Sequence, residues 1–503
     1  MDNDRVISCI AFENFLLGDW MTFISIEFLL FLAIIVFTYY LIPHRFRWLL
    51  LIIASYVFYA ILSVQFIPLL LTSTAFTYFT GIVIEKQETK KQKKKVMLVG
   101  ISGLLFFLGW FKYFNFVNDS FRAIAKYMDW NYTLPYQEIV LPLAISFYTF
   151  QAVSYLVDIY YGKQKAEKHY GYFSVYFAFF PQLVAGPIER AKKLLPQFKQ
   201  EQILDYENLN YGIKRIAWGF FKKTLIADRL APIVSSVFDS PNPTGSQIVL
   251  ATILFSIQLF TDFSALSDIA IGSARMLGIK LTENFKQPHF AVSISDFWSR
   301  WHITLSTWLR DYIFVPLCKG KKKRSEIYVA IVITFLVSGI WHGAAWTFVI
   351  WGLIHGFYRV FGDYTKHFRA QIASFIRIDR TPELHKWVKI AITFLLVCFS
   401  RVFFRTDTVT QAFENAQLFL KLSSWRFSGI MKAFEIFSLL DLVIFISFYI
   451  VVQLFYYIER KNVSAWEFLS QGSVYARFAF YIFIIFSVLV FGATGKGFIY
   501  GGF

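Results

Sequence analysis

The stretch TFLVSGIWHGAAWTF, residues 334–348, sets His342 in an apolar run among Gly339, Trp341, Gly343 and Trp346. Such a run belongs in a lipid bilayer, where an ionisable group is costly and faces a protein interior or a wet cavity. His342 is therefore either a packed, hydrogen-bonded structural residue or part of the chemistry. Gly339 and Gly343 form a G-x-x-x-G pair, which lets a second helix approach closely. His342 and Trp346 are four positions apart and are expected on one helical face. An imidazole held under an indole there would suit a general base.

The rest of the chain has the same character. Its 503 residues are 56% hydrophobic and 20% aromatic, with a mean hydropathy of +0.50. Repeated apolar runs of about twenty residues match the thickness of a bilayer core. The fold class expected is all-α: a polytopic helical membrane protein. The net charge of +17 sits mostly in short loops between apolar runs, as the positive-inside bias predicts, so no nucleic-acid partner is expected. Cys9, Cys318 and Cys398 are isolated and show no metal or disulfide spacing. Residues 1–20 are acidic and lack the basic start of a signal peptide. They read as a leader, with Met21 as an alternative start and residues 21–503 as a single membrane domain.

The loops orient the spans. Residues 21–42 form a first span followed by PHRFR (43–47), and residues 48–62 and 66–84 form a hairpin. That hairpin ends in EKQETKKQKKK (85–95), six lysines against two glutamates, which places this side in the cytoplasm. Spans at 96–117 and 139–161 go out and return. The run 170–193, YGYFSVYFAFFPQLVAGPIERAKK, is broken by Pro181 and Gly186-Pro187 yet has basic flanks on both sides. It reads as a re-entrant segment, because irregular backbone at membrane depth must be buried in protein or line a cavity. Residues 211–238 suit an interfacial helix. An apolar stretch at 247–260 precedes a semi-polar region, 261–318, and then the cytoplasmic run KGKKKR (319–324). Further spans are expected near 326–344, 346–361, 387–404, 437–457 and 475–493. There is no internal repeat to support an inverted-repeat transporter.

Two other stretches carry ionisable groups. In SISDFWSRWHITLSTWLRDYIFVPL (293–317), Asp296 and Arg300 can pair along a helix, His302 and Ser306 share a face, and Arg310-Asp311 follow. Trp298, Trp301 and Trp308 would also fit an interfacial aromatic belt. In 258–285, Asp262 and Asp268 sit among apolar residues. They would be a cation relay in an ion-coupled transporter, or would orient a histidine or arginine in an enzyme. No P-loop, nucleophile elbow or zinc spacing is present. Two membrane histidines without a nucleophile point to base-assisted group transfer.

Taken together, the blocks LPLAISFYTFQAVSYLVDIYYGK, FFPQLVAGPIER, DFSALSDIAIGSARMLGI, SISDFWSRWHITLSTWLRDYIFVPL, FLVSGIWHGAAWTFVIWGLIHG and FSRVFFRTDTVTQAF closely resemble the membrane-bound O-acyltransferase superfamily. The branch resembled is that of the bacterial alginate and peptidoglycan O-acetyltransferases, with the core motifs in about 139–361. The resemblance implies a funnel through the bilayer joining a cytoplasmic acyl donor, acetyl-CoA, to an acceptor on the far side. It implies that His342 is the catalytic histidine and His302 its active-site partner. Trp301, Arg300, Ser306, Arg310, Asp311, Asp262, Asp268, Gln182, Arg190 and Trp341 would line or support the channel. The acceptor implied is an exported or cell-envelope polysaccharide, served through a periplasmic SGNH-type transferase, at the bacterial inner membrane and with no metal. A D-alanyl transferase of the teichoic-acid type, on the same fold, is the alternative.

Overall fold

The computed structural model describes residues 21–320, 323–435, 438–460 and 465–493. The expected leader, 1–20, lies outside the described residues. Every regular element among the described residues is helical. Seven helices there are long and apolar enough to cross a membrane, so this is a polytopic helical membrane protein. The chain divides into two compact units, Met1–Ile216 with Asp268–Thr282, and Ala217–Ser267 with Glu283–Phe503.

The first unit contains α1 (Ile26–Leu41), α2 (His44–Ser63), α3 (Ile67–Lys86), α4 (Lys90–Leu108), α5 (Phe114–Tyr127), α6 (Ile145–Tyr160), α7 (Tyr170–Ala178), α8 (Phe180–Leu183) and α9 (Ala191–Lys199). The segment expected to be irregular is α7 and α8, with the break at Phe179. Pro181 has no N–H to give and opens α8. The hydrogen bonds lost at the break are replaced by side chains. Phe180 N donates to Ser55 Oγ at 3.1 Å, and the Tyr176 carbonyl accepts from Gln151 Nε2 at 2.6 Å and Gln182 Nε2 at 3.0 Å. Phe173, Tyr176, Phe177, Phe179 and Phe180 are completely buried. Non-helical backbone is thus enclosed in protein, as a low-dielectric setting demands.

Helix α10 (Tyr206–Lys222) begins in the first unit and ends in the second. A π-helical turn, Lys223–Ala227, joins it to α11 (Asp228–Phe238). Then comes α12 (Gly245–Met276), a single helix that carries the apolar stretch 247–260 and runs on into the semi-polar region through Asp262 and Asp268. The reason is charge pairing. Lys223 Nζ lies 2.8 Å from Asp262 Oδ1 and 2.7 Å from Asp228 Oδ1, and in the first unit Arg215 Nε lies 2.7 Å from Asp268 Oδ1. Buried carboxylates paired in this way no longer bar a helix from a core.

The second unit continues with α13 (Ile294–Arg300), α14 (Ile303–Leu309), α15 (Val315–Cys318), α16 (Arg324–His342), α17 (Trp346–Tyr364), α18 (Lys366–Phe375) and α19 (Pro382–Arg405). It ends with α20 (Val409–Leu420), α21 (Phe427–Phe434), α22 (Leu439–Arg460), α23 (Ala465–Gln471) and α24 (Val474–Phe491). Helices α16 and α17 form a tight hairpin. A Cβ on Gly339 would strike the Phe348 carbonyl oxygen, and one on Gly352 would strike that of Phe335. The close crossing therefore uses Gly339 with Gly352, whereas Gly343 lies past the end of α16 and packs on the Phe348 ring.

Candidate active site

The site is built where two helices stop. Helix α16 ends on His342, and Gly343 continues in an extended conformation. Trp346 is then the first residue of the next helix and half exposed. His342 and Trp346 do not share a helical face, which corrects the sequence expectation; Gly343 breaks the register between them. The rings around His342 are instead Trp341 at 4.9 Å, Trp351 at 4.9 Å and Phe404 at 5.5 Å. His342 is 3% exposed.

The second stop lies between α13 and α14. His302 takes the left-handed conformation, φ 43° and ψ 56°, a region that histidine enters more readily than most residues. The break is held by main-chain bonds from Ile303 N to Asn284 O and from Lys286 N to Arg300 O, both 2.9 Å. The Asn284 amide oxygen also receives Thr304 N at 3.2 Å and Thr304 Oγ1 at 3.0 Å. The Thr304 N–H can only donate, so this atom is the oxygen, and His302 Nδ1 at 3.2 Å must donate to it as well. Burial pushes the His302 imidazole down to about 3, so the ring is neutral. In this tautomer Nε2 carries the lone pair and is an acceptor.

One indole touches both histidines. The Trp341 ring lies 5.9 Å from His302 and 4.9 Å from His342. Trp298, Trp301 and Trp308 are all buried, not arranged as an interfacial belt. Behind this layer a third histidine, His355, is locked in place. Trp298 Nε1 donates to its Nδ1 at 3.2 Å. Its Nε2 therefore carries the proton and donates to Ser400 Oγ at 2.9 Å, and the Ser400 hydroxyl donates in turn to the Val397 carbonyl at 2.7 Å.

The other expected residues have varied settings. Arg300 pairs with Asp296 at 2.7 Å, and Arg310 with Asp311 at 2.9 Å. Ser306 Oγ caps the Trp301 carbonyl at 3.1 Å. Asp262 meets a lysine and Asp268 an arginine. Gln182, Arg190 and Asp268 belong to the first unit and the others to the second. In the second unit, a cavity of about 250 Å³ is lined by Trp298, Leu309 and Phe335, with Ser306, Arg310 and Arg359. A far smaller one, about 10 Å³, is lined by Trp301, Trp351, His355, Arg401 and Phe404, among others. Sequence reasoning passes over Asn284, His355, Ser400 and Arg401. The second H-G pair, His355-Gly356, is the signal that would have found His355.

Two buried histidines lie against one indole on an all-helical membrane fold, and comparison with known proteins gives the class of the protein. Residues 168–404 match the model of the membrane-bound O-acyltransferase family. The chain is 37% identical over 417 residues to the probable alginate O-acetylase of Azotobacter vinelandii, covering 82% of this chain and 81% of that one. It is 34% identical over 395 residues to the peptidoglycan O-acetyltransferase of Helicobacter pylori, 72% of each chain. A teichoic acid D-alanyltransferase of Bacillus subtilis is 30% identical over 285 residues, 53% of this chain and 69% of that one. The chain belongs to the membrane-bound O-acyltransferase family and is an O-acyltransferase.

Proposed function

We propose that this enzyme takes an acetyl group from acetyl-CoA at the cytoplasmic face of a bacterial inner membrane and delivers it for O-acetylation of an exported or cell-envelope polysaccharide. The reading is supported by the O-acetylating relatives, which cover more of the chain than the D-alanyl-transferring one. The observation that carries the mechanism is the pair His302 and His342 against one indole. His342 is the general base that removes the proton of an acceptor hydroxyl. His302, with an acceptor at Nε2, orients that hydroxyl; with its Nδ1–H given to Asn284 it is not the group that receives the oxyanion. Burial of both rings excludes the water that would hydrolyse a thioester.

The larger cavity offers a chamber for the donor. Its apolar walls include Ile331, Thr334 and Phe335 from the half of α16 that follows the KGKKKR run, and Arg310 and Arg359 supply positive charge for an anionic thioester. A periplasmic SGNH-type transferase is the partner proposed to complete delivery, with the polymer of the alginate or peptidoglycan type. The transporter alternative loses its support, since the aspartates it needs as a relay are held in ion pairs.

The test is a strain lacking this gene, complemented with wild type or His342→Ala at matched membrane levels, with ester-linked acetate measured on its polysaccharides. Wild type should restore acetate, and the variant should leave it at the level of the deletion. Equal restoration by both would remove His342 from the chemistry.

A further inference from the structure

Arg401 lies on α19, one of the helices able to cross a membrane, and is 3% exposed. A guanidinium stays charged at any physiological pH, and burying one in a membrane is costly enough to mark it as a functional candidate. The Arg401 guanidinium carbon lies 4.8 Å over the ring of Trp301, the residue before His302. It lines the 10 Å³ cavity together with Trp351 and Phe404, and these two rings also hold His342, at 4.9 and 5.5 Å. Its charge acts on the neighbouring histidine His289: burial first, and then Arg401, push that imidazole down to about 3.

The cavity has room for about one oxygen-sized group. Among the described residues lining it, Arg401 alone is permanently charged. The histidines nearby are committed to other tasks. His355 uses Nδ1 to accept from Trp298 and Nε2 to donate to Ser400, His302 gives its Nδ1–H to Asn284, and a base at 342 accepts a proton. A transferred acyl group requires a donor for the oxygen that becomes negative, positioned in advance and shielded from water. A buried guanidinium held over an indole is such a group.

We propose that Arg401 is a further catalytic residue, the cation that receives the oxyanion of the acyl carbonyl; this rests on the acyl-transfer reading above. The acceptor oxygen bonds to the carbonyl carbon, its proton goes to His342, and the π pair moves onto the carbonyl oxygen beside Arg401. On collapse the pair reforms the carbonyl, the carbon–sulfur bond breaks, and the thiolate takes the proton back from His342. Arg401 remains protonated throughout.

The test measures the initial rate at which ester-linked acetate appears on polysaccharide after induction, in the deletion strain carrying wild type, Arg401→Met, Arg401→Lys or His342→Ala. Rates are normalised to the amount of folded protein in the membrane, read from a detergent melting curve. The expected rate for Arg401→Met is about 100-fold below wild type, the loss typical of one missing oxyanion donor. Arg401→Lys, which keeps the charge but not the fork, should recover about tenfold of that. A rate for Arg401→Met within about 3-fold of wild type, or equal rates for Met and Lys, would overturn the proposal while His342→Ala stays inactive. If Arg401→Met does not reach the membrane, Arg401→Lys decides alone: a rate between about a third and about a hundredth of wild type supports the role, and one outside that range overturns it. A fully active His342→Ala, or no acetate with wild type, would instead bring down the underlying reading and this proposal with it.

Discussion

Asn284 is the residue on which the tautomer of His302 depends. Its amide oxygen collects three donors, from His302 Nδ1, Thr304 N and Thr304 Oγ1. Asn284→Ala would leave buried donors without an acceptor, at a cost of about 1–3 kcal/mol, and would free the imidazole to turn. The expected result is a lowered melting temperature and an acetate-transfer rate reduced at least tenfold, measured on the same membranes. Protonation gives a second handle on this residue. The His302 imidazole is pushed down to about 3 by burial, against about 6.5 in an unfolded chain. Between those values the unfolded chain binds the extra proton. The stability this residue contributes is therefore complete above about pH 6.5 and falls with pH below it, by up to about 1.4 kcal/mol per unit. Melting temperatures between about pH 7.5 and pH 5 should drop, and His302→Asn should lessen that drop without abolishing it, since His289 is pushed down in the same way. The sequence showed both histidines because an ionisable group stands out in an apolar run. It did not show Asn284, because a single amide in a loop has no periodicity or charge to distinguish it, and its role exists only once three donors converge on it.

At the scale of elements, the α16–α17 hairpin is fixed by close backbone contact. Gly339→Ala and Gly352→Ala each press a methyl group against a carbonyl oxygen and should cost about 1–3 kcal/mol. Gly362→Ala, on the same α17 but with open space around it, should be neutral or stabilise by up to about 1 kcal/mol. Comparing the three melting curves separates contact from helix propensity. The expected spans at 326–344, 387–404, 437–457 and 475–493 correspond to α16, α19, α22 and α24, because uncharged apolar length is readable directly. At 346–361 a helix forms, α17, but it is not one of the seven described helices long and apolar enough to cross a membrane. That one helix joins the apolar stretch 247–260 to the semi-polar residues after it was not legible, because Lys223, the partner that lets Asp262 be buried, lies far from it in sequence. Burial works against the Lys223 ammonium, but Asp262 and Asp228 outweigh it, so its pKa stands above the ordinary lysine value. Trp346 misled in the opposite way: four-residue spacing implies a shared face only while a helix is unbroken, and Gly343 breaks it.

For the whole molecule, the distribution of charge makes its own prediction. The lysine runs at 90–95 and 319–323 should both face the cytoplasm. Single cysteines placed at Lys91 and Lys319, in a chain with Cys9, Cys318 and Cys398 replaced by serine, should react with an impermeant maleimide in inside-out vesicles and not in right-side-out ones. Labelling of either from the periplasmic side would reverse the orientation that delivers donor to Arg310 and Arg359.

The left-handed backbone at residue 302 also bears on which sequences a population could explore. Two filters act on that position. The conformation admits glycine, asparagine, aspartate and histidine with little penalty and taxes β-branched side chains heavily. The chemistry then asks for an acceptor held at ring distance from the main chain. Histidine alone passes both. Position 342, at the end of an ordinary helix, has no backbone filter, only the chemistry and the packing of a buried ring. A saturation library should therefore keep folded but inactive chains of many kinds at 342 and of very few kinds at 302. The two histidines would be equally invariant among active chains and sharply different in how many silent, well-folded alternatives surround them.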